Sequence, residues 1–207
     1  MDETTLVDTV TDDLETELSR LGSSKWLYAL TGGEMTGDAV RAAAAADADA
    51  AAERFETWAA DAEGEGEAEA ATLFESLATT AADRREAVDA DPADADRRTH
   101  GTLAGLDGTA SRLGGALGYA LVTDRTLGQM VGFFVGDADP STADTFRDLR
   151  SEAAADRDRI VATLDSALDG GDDWDRARSA ATAVVEAAYE EYVETLQSMG
   201  IEPKNVC

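Results

Sequence analysis

The sequence predicts an all-α protein, and three observations carry that prediction. Apolar residues recur at helical spacing along nearly the whole chain. Alanine, the residue with the highest helix propensity, is frequent in the same segments. No run alternates apolar and polar residues over more than a few positions, so no sheet is expected.

The first predicted helix carries one apolar stripe and ends at Gly22. The stripe consists of Leu6, Val10, Leu14, Leu18 and Leu21. Lys25–Leu30 is predicted as a short apolar turn. A long alanine-rich helix is predicted over residues 38–62, with Asp38 as its N-cap.

Four further segments follow. Residues 63–67 form a predicted turn before a second long helix, which ends near Asp89. Residues 99–135 are apolar on all sides and rich in glycine. Pro140, directly after Asp139, suits the first position of a helix that ends near Leu168. Asp172 or Asp173 is the predicted cap of a last helix, which runs to residues 199–200.

Charge is the strongest compositional signal, with 44 acidic residues against 17 basic ones and a net charge of -27. The Debye length falls from about 8 Å at physiological ionic strength to about 3 Å in molar salt, where such a surface no longer repels itself strongly. Lysine occurs only at positions 25 and 204. We interpret this pattern as that of a halophilic archaeon; the alternative is an acidic protein that recruits cations or basic partners.

The sequence also predicts a cytoplasmic protein. Cys207 is the only cysteine, which excludes an internal disulfide and fits a reducing compartment. The N-terminus has neither the basic region nor the apolar stretch of a signal peptide. No segment reaches the roughly 20 apolar residues that span a bilayer, so no membrane partner is expected. Cys207 ends a short tail after Pro203, expected to be disordered, with a docked tail or a redox-sensing thiol as alternatives.

The inventory of reactive residues predicts no catalytic residue and no cofactor. One histidine and one terminal cysteine cannot build a Cys/His zinc site or a Cys–His nucleophilic pair. His100 is expected at the surface. Carboxylates near apolar faces are expected in structural or solvated roles: Glu53, Glu56, Glu186, Glu190 and Glu194.

Glycines in the third region recur every four residues. These sets are Gly128, Gly132 and Gly136, Gly101 and Gly105, and Gly114 and Gly118. Glycine costs about 1 kcal/mol per helical site relative to alanine, so its repetition indicates close approach of backbones. The main expectation is a helix buried within its own bundle. The alternative is an interface with a protein partner or a second copy, through the face of Gly128, Gly132 and Gly136.

One resemblance narrows the fold. Residues 73–84, Leu-Phe-Glu-Ser-Leu-Ala-Thr-Thr-Ala-Ala-Asp-Arg, and the stretch from Phe146 to Asp156 repeat one aromatic and leucine frame. Ala-Ala-Asp-Arg also occurs in both halves, at 81–84 and 154–157. Over residues 38–168 the order of elements resembles the ferritin-like superfamily, in particular haloarchaeal rubrerythrin-family proteins. Such bundles bind two irons through a glutamate from each of two helices and Glu-x-x-His from each of the other two.

The resemblance implies a bundle without its di-iron centre. The glutamate positions fall on Ala48, Ala81, Leu127 and Ala153, and the histidine positions fall on Arg84 and Asp156. No metal ligand is therefore assigned. A shift of one position would bring in Asp47 or Asp49 and Glu152, but no histidine.

These observations predict a ferritin-like up-down helical bundle over 38–168, with an N-terminal extension at 1–37 and a C-terminal helix and tail at 169–207. Aromatic residues near both ends are expected to clamp the extra helices: Trp26, Tyr28, Trp174, Tyr189 and Tyr192. The predicted function is a non-catalytic module with a protein-interaction or structural role. The alternatives are a rubrerythrin-type metal-binding oxidoreductase and a helical regulator of the transcription machinery. Nucleic acid is not an expected partner, because the arginine pairs 84–85 and 97–98 are isolated.

Overall fold

The computed structural model describes residues 3–203, with side chains from Thr5 onward. This part of the chain folds into nine helices and contains no strand. Four are short: α1 (Glu3–Asp13), α2 (Glu15–Leu21), α3 (Ser24–Leu30) and α6 (Arg98–Ala104). Five are long: α4 (Gly37–Glu65), α5 (Ala68–Val88), α7 (Thr109–Gly136), α8 (Pro140–Ala167) and α9 (Gly171–Ser198). The predicted all-α class is confirmed, and no helix within 3–203 is long and apolar enough to cross a membrane.

Two helical hairpins form the bundle. Short connections join α4 to α5 and α7 to α8, so each pair packs side by side and antiparallel. The hairpins meet where α5 packs against α8, and α4 touches α7 more lightly. Helix α9 packs against α7. One hydrophobic cluster contains residues of the predicted extension at 1–37, of the predicted core at 38–168 and of the predicted C-terminal helix at 169–207.

Helix α7 approaches α9 at two glycines. A Cβ atom added to Gly118 would lie 2.6 Å from the carbonyl oxygen of Ala181, and one added to Gly114 would lie still closer to the backbone of Ala177. The expected close approach is therefore confirmed for Gly114 and Gly118. Gly101 and Gly105 have no such contact with another helix.

The helix ends correct several predictions. The Thr36 hydroxyl accepts the hydrogen bond from Ala39 N, so Thr36 and not Asp38 caps α4. Helix α4 continues to Glu65, because Gly66 adopts the left-handed conformation (φ 83°) that ends helices. Gly170 is the N-cap of α9, which makes Asp172 and Asp173 first-turn residues. Asp139 caps α8 and Pro140 opens it, as predicted.

Two predicted single elements are split, and one predicted turn is a helix. Leu14 separates α1 from α2, although the apolar stripe stays buried across the break. Residues 105–108 separate α6 from α7, with Gly108 at φ 76°. The segment predicted as an apolar turn at Lys25–Leu30 is helix α3.

Part of the predicted aromatic clamp is present. Trp26 meets Tyr192 edge-on at a centroid distance of 6.4 Å, and Tyr192 stacks on Tyr189. Trp26 Nε1 also donates a hydrogen bond to Thr126 Oγ1 at 2.9 Å, which ties α3 to α7. At the other end, Lys25 donates to the carbonyl oxygen of Glu202, so residues 201–203 are docked on the bundle. Cys207 lies outside the described residues.

Candidate functional site

A buried ion pair joins the two hairpins. Arg84 of α5 donates to a carboxylate oxygen of Asp156 of α8, and both side chains are more than nine-tenths buried. Arg159, one turn later on α8, donates to the other oxygen of Asp156 and is half exposed. The two positions aligned with the histidines of a di-iron centre are thus in direct contact.

The positions aligned with the glutamates are also in the interior. Ala48, Ala81, Leu127 and Ala153 are all buried. Their side chains offer no atom that binds a metal, and the Arg84 guanidinium places a positive charge among them. The residues present at these positions therefore do not fit a di-iron centre.

The carboxylates of the shifted alignment do not meet. Asp49 and Glu152 are exposed, whereas Asp47 is partly buried against α6 and α7. Within residues 3–203, no group of three or more His, Cys, Asp or Glu side chains could hold a metal ion.

Asp47 is the centre of a second polar cluster. One of its oxygens lies 2.8 Å from His100 Nε2, and the other accepts a hydrogen bond from the Tyr119 hydroxyl at 2.9 Å. His100 also packs against the Tyr119 ring, with centroids 5.7 Å apart. The expectation of a surface histidine is therefore wrong, since the side chain of His100 is only 13% exposed. The connection between α5 and α7 folds back over α4 and brings His100 to Asp47.

These contacts shift the proton affinities of both acids. Burial alone raises the pKa of Asp47, but hydrogen bonds from His100 and Tyr119 together with the charge of Arg97 hold that pKa below its usual value. Burial and the neighbouring Asp47 charge raise the pKa of the Tyr119 hydroxyl well above its usual value. At neutral pH the pair is therefore a carboxylate and a neutral phenol.

Arg97 is a second buried arginine of the interior. Its side chain donates to Glu191 of α9 at 3.0 Å and to the carbonyl oxygen of Leu30 at 3.1 Å. The backbone amide of the next residue, Arg98, donates to the other oxygen of Glu191. The start of α6 is thereby fixed to α9 and to the end of α3.

A cavity of about 40 Å³ lies between these groups. Its polar lining consists of Asp47, Arg84, Arg97, Thr99, Tyr119, Thr123 and Thr126. Most of its surface is apolar, contributed by side chains such as Trp26, Ala44, Ala48, Val88, Leu127, Met130 and Leu149. The cavity is therefore mostly apolar and is bordered by the two buried arginines Arg84 and Arg97.

The remaining candidates lie on the surface. Glu53 and Glu56 are exposed as expected, and Arg98 bridges Glu190 and Glu194 on α9. Gly132 and Gly136 are exposed and have open space where a side chain would stand. A Cβ atom added to Gly128, which is half-buried, would lie 3.4 Å from the guanidinium carbon of Arg150. This glycine face of α7 is therefore open and not buried within the bundle, which corrects the main expectation for these three residues.

Sequence reasoning located some of these residues and missed others. The alignment selected Arg84 and Asp156 without pairing them; their opposite charges at corresponding positions were the available signal. Tyr119, Arg97 and Thr123 carried no recognisable signal, because Arg97 is brought to Asp47 and α7 only by the path of the connection between α5 and α7.

Comparison with protein-family models, with curated proteins and with solved structures finds no match to this chain.

Proposed function

We propose that this chain is a non-catalytic ferritin-like helical module of a halophilic archaeon, which acts by binding a protein partner or a second copy of itself. The observation that carries the proposal is the buried Arg84–Asp156 ion pair. It joins the two hairpins across the interior, where a di-iron protein would place two histidines.

The ion pair supports a structural role for the centre of the bundle. A buried guanidinium opposes the binding of a cation nearby, and its partner carboxylate is already committed to two arginines. Ala81 and Ala153, at two of the aligned glutamate positions, are buried and contribute only apolar packing atoms. The alternative is a metal-binding oxidoreductase, but the described residues contain no group of side chains that could hold its metal.

The open face of α7 supports the binding role. Gly132 and Gly136 are not needed for packing within the chain, and Val135 between them is 55% exposed. An exposed glycine inside a helix, such as Gly132, lowers helix stability by about 1 kcal/mol relative to alanine, whereas Gly136 is the last residue of α7. A closely packed partner helix would offset that cost. No comparable basic face supports the transcription alternative, because Arg84 and Arg97 are buried in ion pairs.

Metal analysis tests the non-catalytic part of the proposal. The protein is purified from its own host in molar KCl, and iron, manganese and zinc are measured per chain beside the visible absorption spectrum. We expect no stoichiometric metal. A His100→Gln variant serves as a matched control, since it removes the sole histidine. About two irons per chain in the native protein would overturn the proposal.

The mass in solution tests the binding role. Light scattering in molar KCl on the native protein, and co-purification from host lysate, measure self-association and partners separately. The Gly132→Leu variant places a large side chain in the open face of α7. The control is Ala60→Leu, at an exposed site on α4. We expect Gly132→Leu alone to release the bound partner or second copy. Equal assembly in both variants would exclude this face.

A further inference from the structure

We propose that helix α1 is a salt-dependent strap, which closes over α8 and α9 in molar salt and is released at lower ionic strength while the bundle stays folded. Release exposes the buried side chains of Leu6 and Val10 and the surface of α8 and α9 that α1 covers. Such a release does not require the protein-binding role proposed above.

Helix α1 is attached to the bundle by a short apolar row. It packs mainly against α8 and α9. Leu6 and Val10 are completely buried and belong to the same hydrophobic cluster as Leu164 of α8 and Val185 of α9. Val7 is partly buried against that cluster. A few apolar side chains therefore hold a helix of 11 residues in place.

The carboxylates of α1 add nothing to this attachment. Asp8, Asp12 and Asp13 are exposed, and within the described part of the chain their side chains form no ion pair or hydrogen bond. Helix α2 differs, because Gln129 of α7 donates a hydrogen bond at 2.6 Å to the carbonyl oxygen of Gly22 at the end of α2. Release of α1 therefore breaks no ion pair at these three positions and leaves the tie of α2 intact.

The charges around α1 have the same sign as its own. Helix α1 has four acidic residues and no basic one. Helix α8 has six acidic and four basic residues, and all four arginines pair with carboxylates of α7 or α8. Helix α9 has seven acidic and two basic residues. Like charges repel, so the charges of α8 and α9 oppose the docking of α1.

Salt concentration decides which of these two effects is stronger. The repulsion extends over about 8 Å at physiological ionic strength and about 3 Å in molar salt. The burial of Leu6 and Val10 does not depend on charge and persists at both. Local opening costs least where few apolar contacts hold the backbone, so α1 should open before the rest of the bundle. Opening should end at Leu14, whose backbone (φ -113°, ψ 24°) already separates α1 from α2.

Hydrogen exchange of the full chain, read by mass spectrometry, tests the proposal. Exchange is compared between about 3 M and about 0.5 M KCl. The amides of α5, inside the bundle, are the internal reference, because salt changes their intrinsic exchange rate equally. We expect exchange in α1 to rise about tenfold or more relative to α5 as KCl falls. An unchanged ratio, or simultaneous loss of protection in α1 and α5, would overturn the proposal.

Charge variants separate local repulsion from the net charge of the chain. Asp8→Asn/Asp12→Asn removes two charges from α1 and leaves its apolar row intact. Asp49→Asn/Asp83→Asn removes two exposed charges from α4 and α5 and is the matched control. We expect the KCl concentration at which α1 opens to fall about twofold or more in the first variant and to stay unchanged in the control. An equal shift in both variants would contradict a local effect of α1.

The apolar row is tested by Leu6→Ala. This variant removes a completely buried side chain of α1, so α1 should exchange rapidly even in molar KCl while α5 stays protected. Unchanged protection of α1 would show that the row does not hold it. Loss of protection in α5 as well would show that α1 and the bundle open as one unit. Either of these two results would overturn the proposal.

Discussion

Arg84 has one carboxylate partner, Asp156, whereas Asp156 has two arginine partners, Arg84 and Arg159. The relationship is unequal in burial as well. Arg84 and Asp156 are both buried, but the side chain of Arg159 is 47% exposed. Loss of one partner therefore leaves different groups behind in the interior.

This asymmetry predicts unequal costs for the two single replacements. Asp156→Leu leaves the buried Arg84 charge unpaired and should lower the free energy of unfolding by about 3–5 kcal/mol. Arg84→Met leaves Asp156 paired with Arg159 and should cost less. Urea denaturation at constant molar KCl measures both. The double variant Arg84→Met/Asp156→Leu should recover most of the loss, because an apolar pair of similar volume needs no counter-ion. Equal single costs that add in the double variant would contradict this account.

The contact of α7 with α9 predicts opposite effects for two glycine-to-alanine changes. Gly118→Ala places a methyl group 2.6 Å from the carbonyl oxygen of Ala181, so the helices must separate and stability should fall by about 1–3 kcal/mol or more. Gly132→Ala meets open space and should raise the stability of the free monomer by up to about 1 kcal/mol. Thermal and urea unfolding of the two variants give the comparison. A tolerated Gly118→Ala would mean that the two helices do not pack this closely.

The Asp47 cluster predicts a specific acid sensitivity. The pKa of Asp47 is lowered in the folded protein, so its ionised form contributes stability above the ordinary value of about 3.9. That contribution is lost as the pH falls through the lowered pKa. Asp47→Asn should therefore destabilise the protein at neutral pH, and the difference from wild type should shrink as the pH falls from about 5 to 3.

Urea midpoints measured across this pH range test the Asp47 prediction. Asp49→Asn is the control, because Asp49 is exposed and two residues away on α4. The control should follow the wild-type curve throughout. A constant difference between wild type and Asp47→Asn at all pH values would show that the carboxylate charge is not what stabilises the cluster.

The net charge of -27 predicts a strong dependence of stability on salt. Repulsion among exposed carboxylates extends over about 8 Å at physiological ionic strength and about 3 Å in molar salt. The urea midpoint should therefore rise steeply as KCl is increased toward molar concentration. Sucrose at matched osmolarity, which screens no charge, is the control. A midpoint that does not respond to KCl would remove the support for a halophilic origin.

The sequence predicted most of the helices because their signals are local. Apolar spacing and alanine content indicate α4, α5 and α8, and Asp139 before Pro140 marks the start of α8. The break at Leu14 has no such marker, since the apolar stripe continues through it. Thr36 and Asp38 both suit an N-cap, and local sequence could not choose between them.

The interior polar groups could be predicted only in part. The repeated sequence frame placed Arg84 and Asp156 at corresponding positions, which is why they could be selected at all. The contact of Asp47 with His100 joins residues 53 positions apart and depends on how the connection after α5 turns back. No local sequence pattern encodes the path of this connection. His100, which follows Arg97 and Arg98 closely in sequence, was therefore expected at the surface.

The seam between α7 and α9 also has a consequence for synthesis of the chain. The first half of α7, from Leu113 to Thr123, is buried on every side, and α9 covers part of it. A ribosome completes α7 well before it completes α9, so this apolar stretch emerges without its final cover. Nascent chains that stop before residue 171 should therefore be the species most dependent on chaperones.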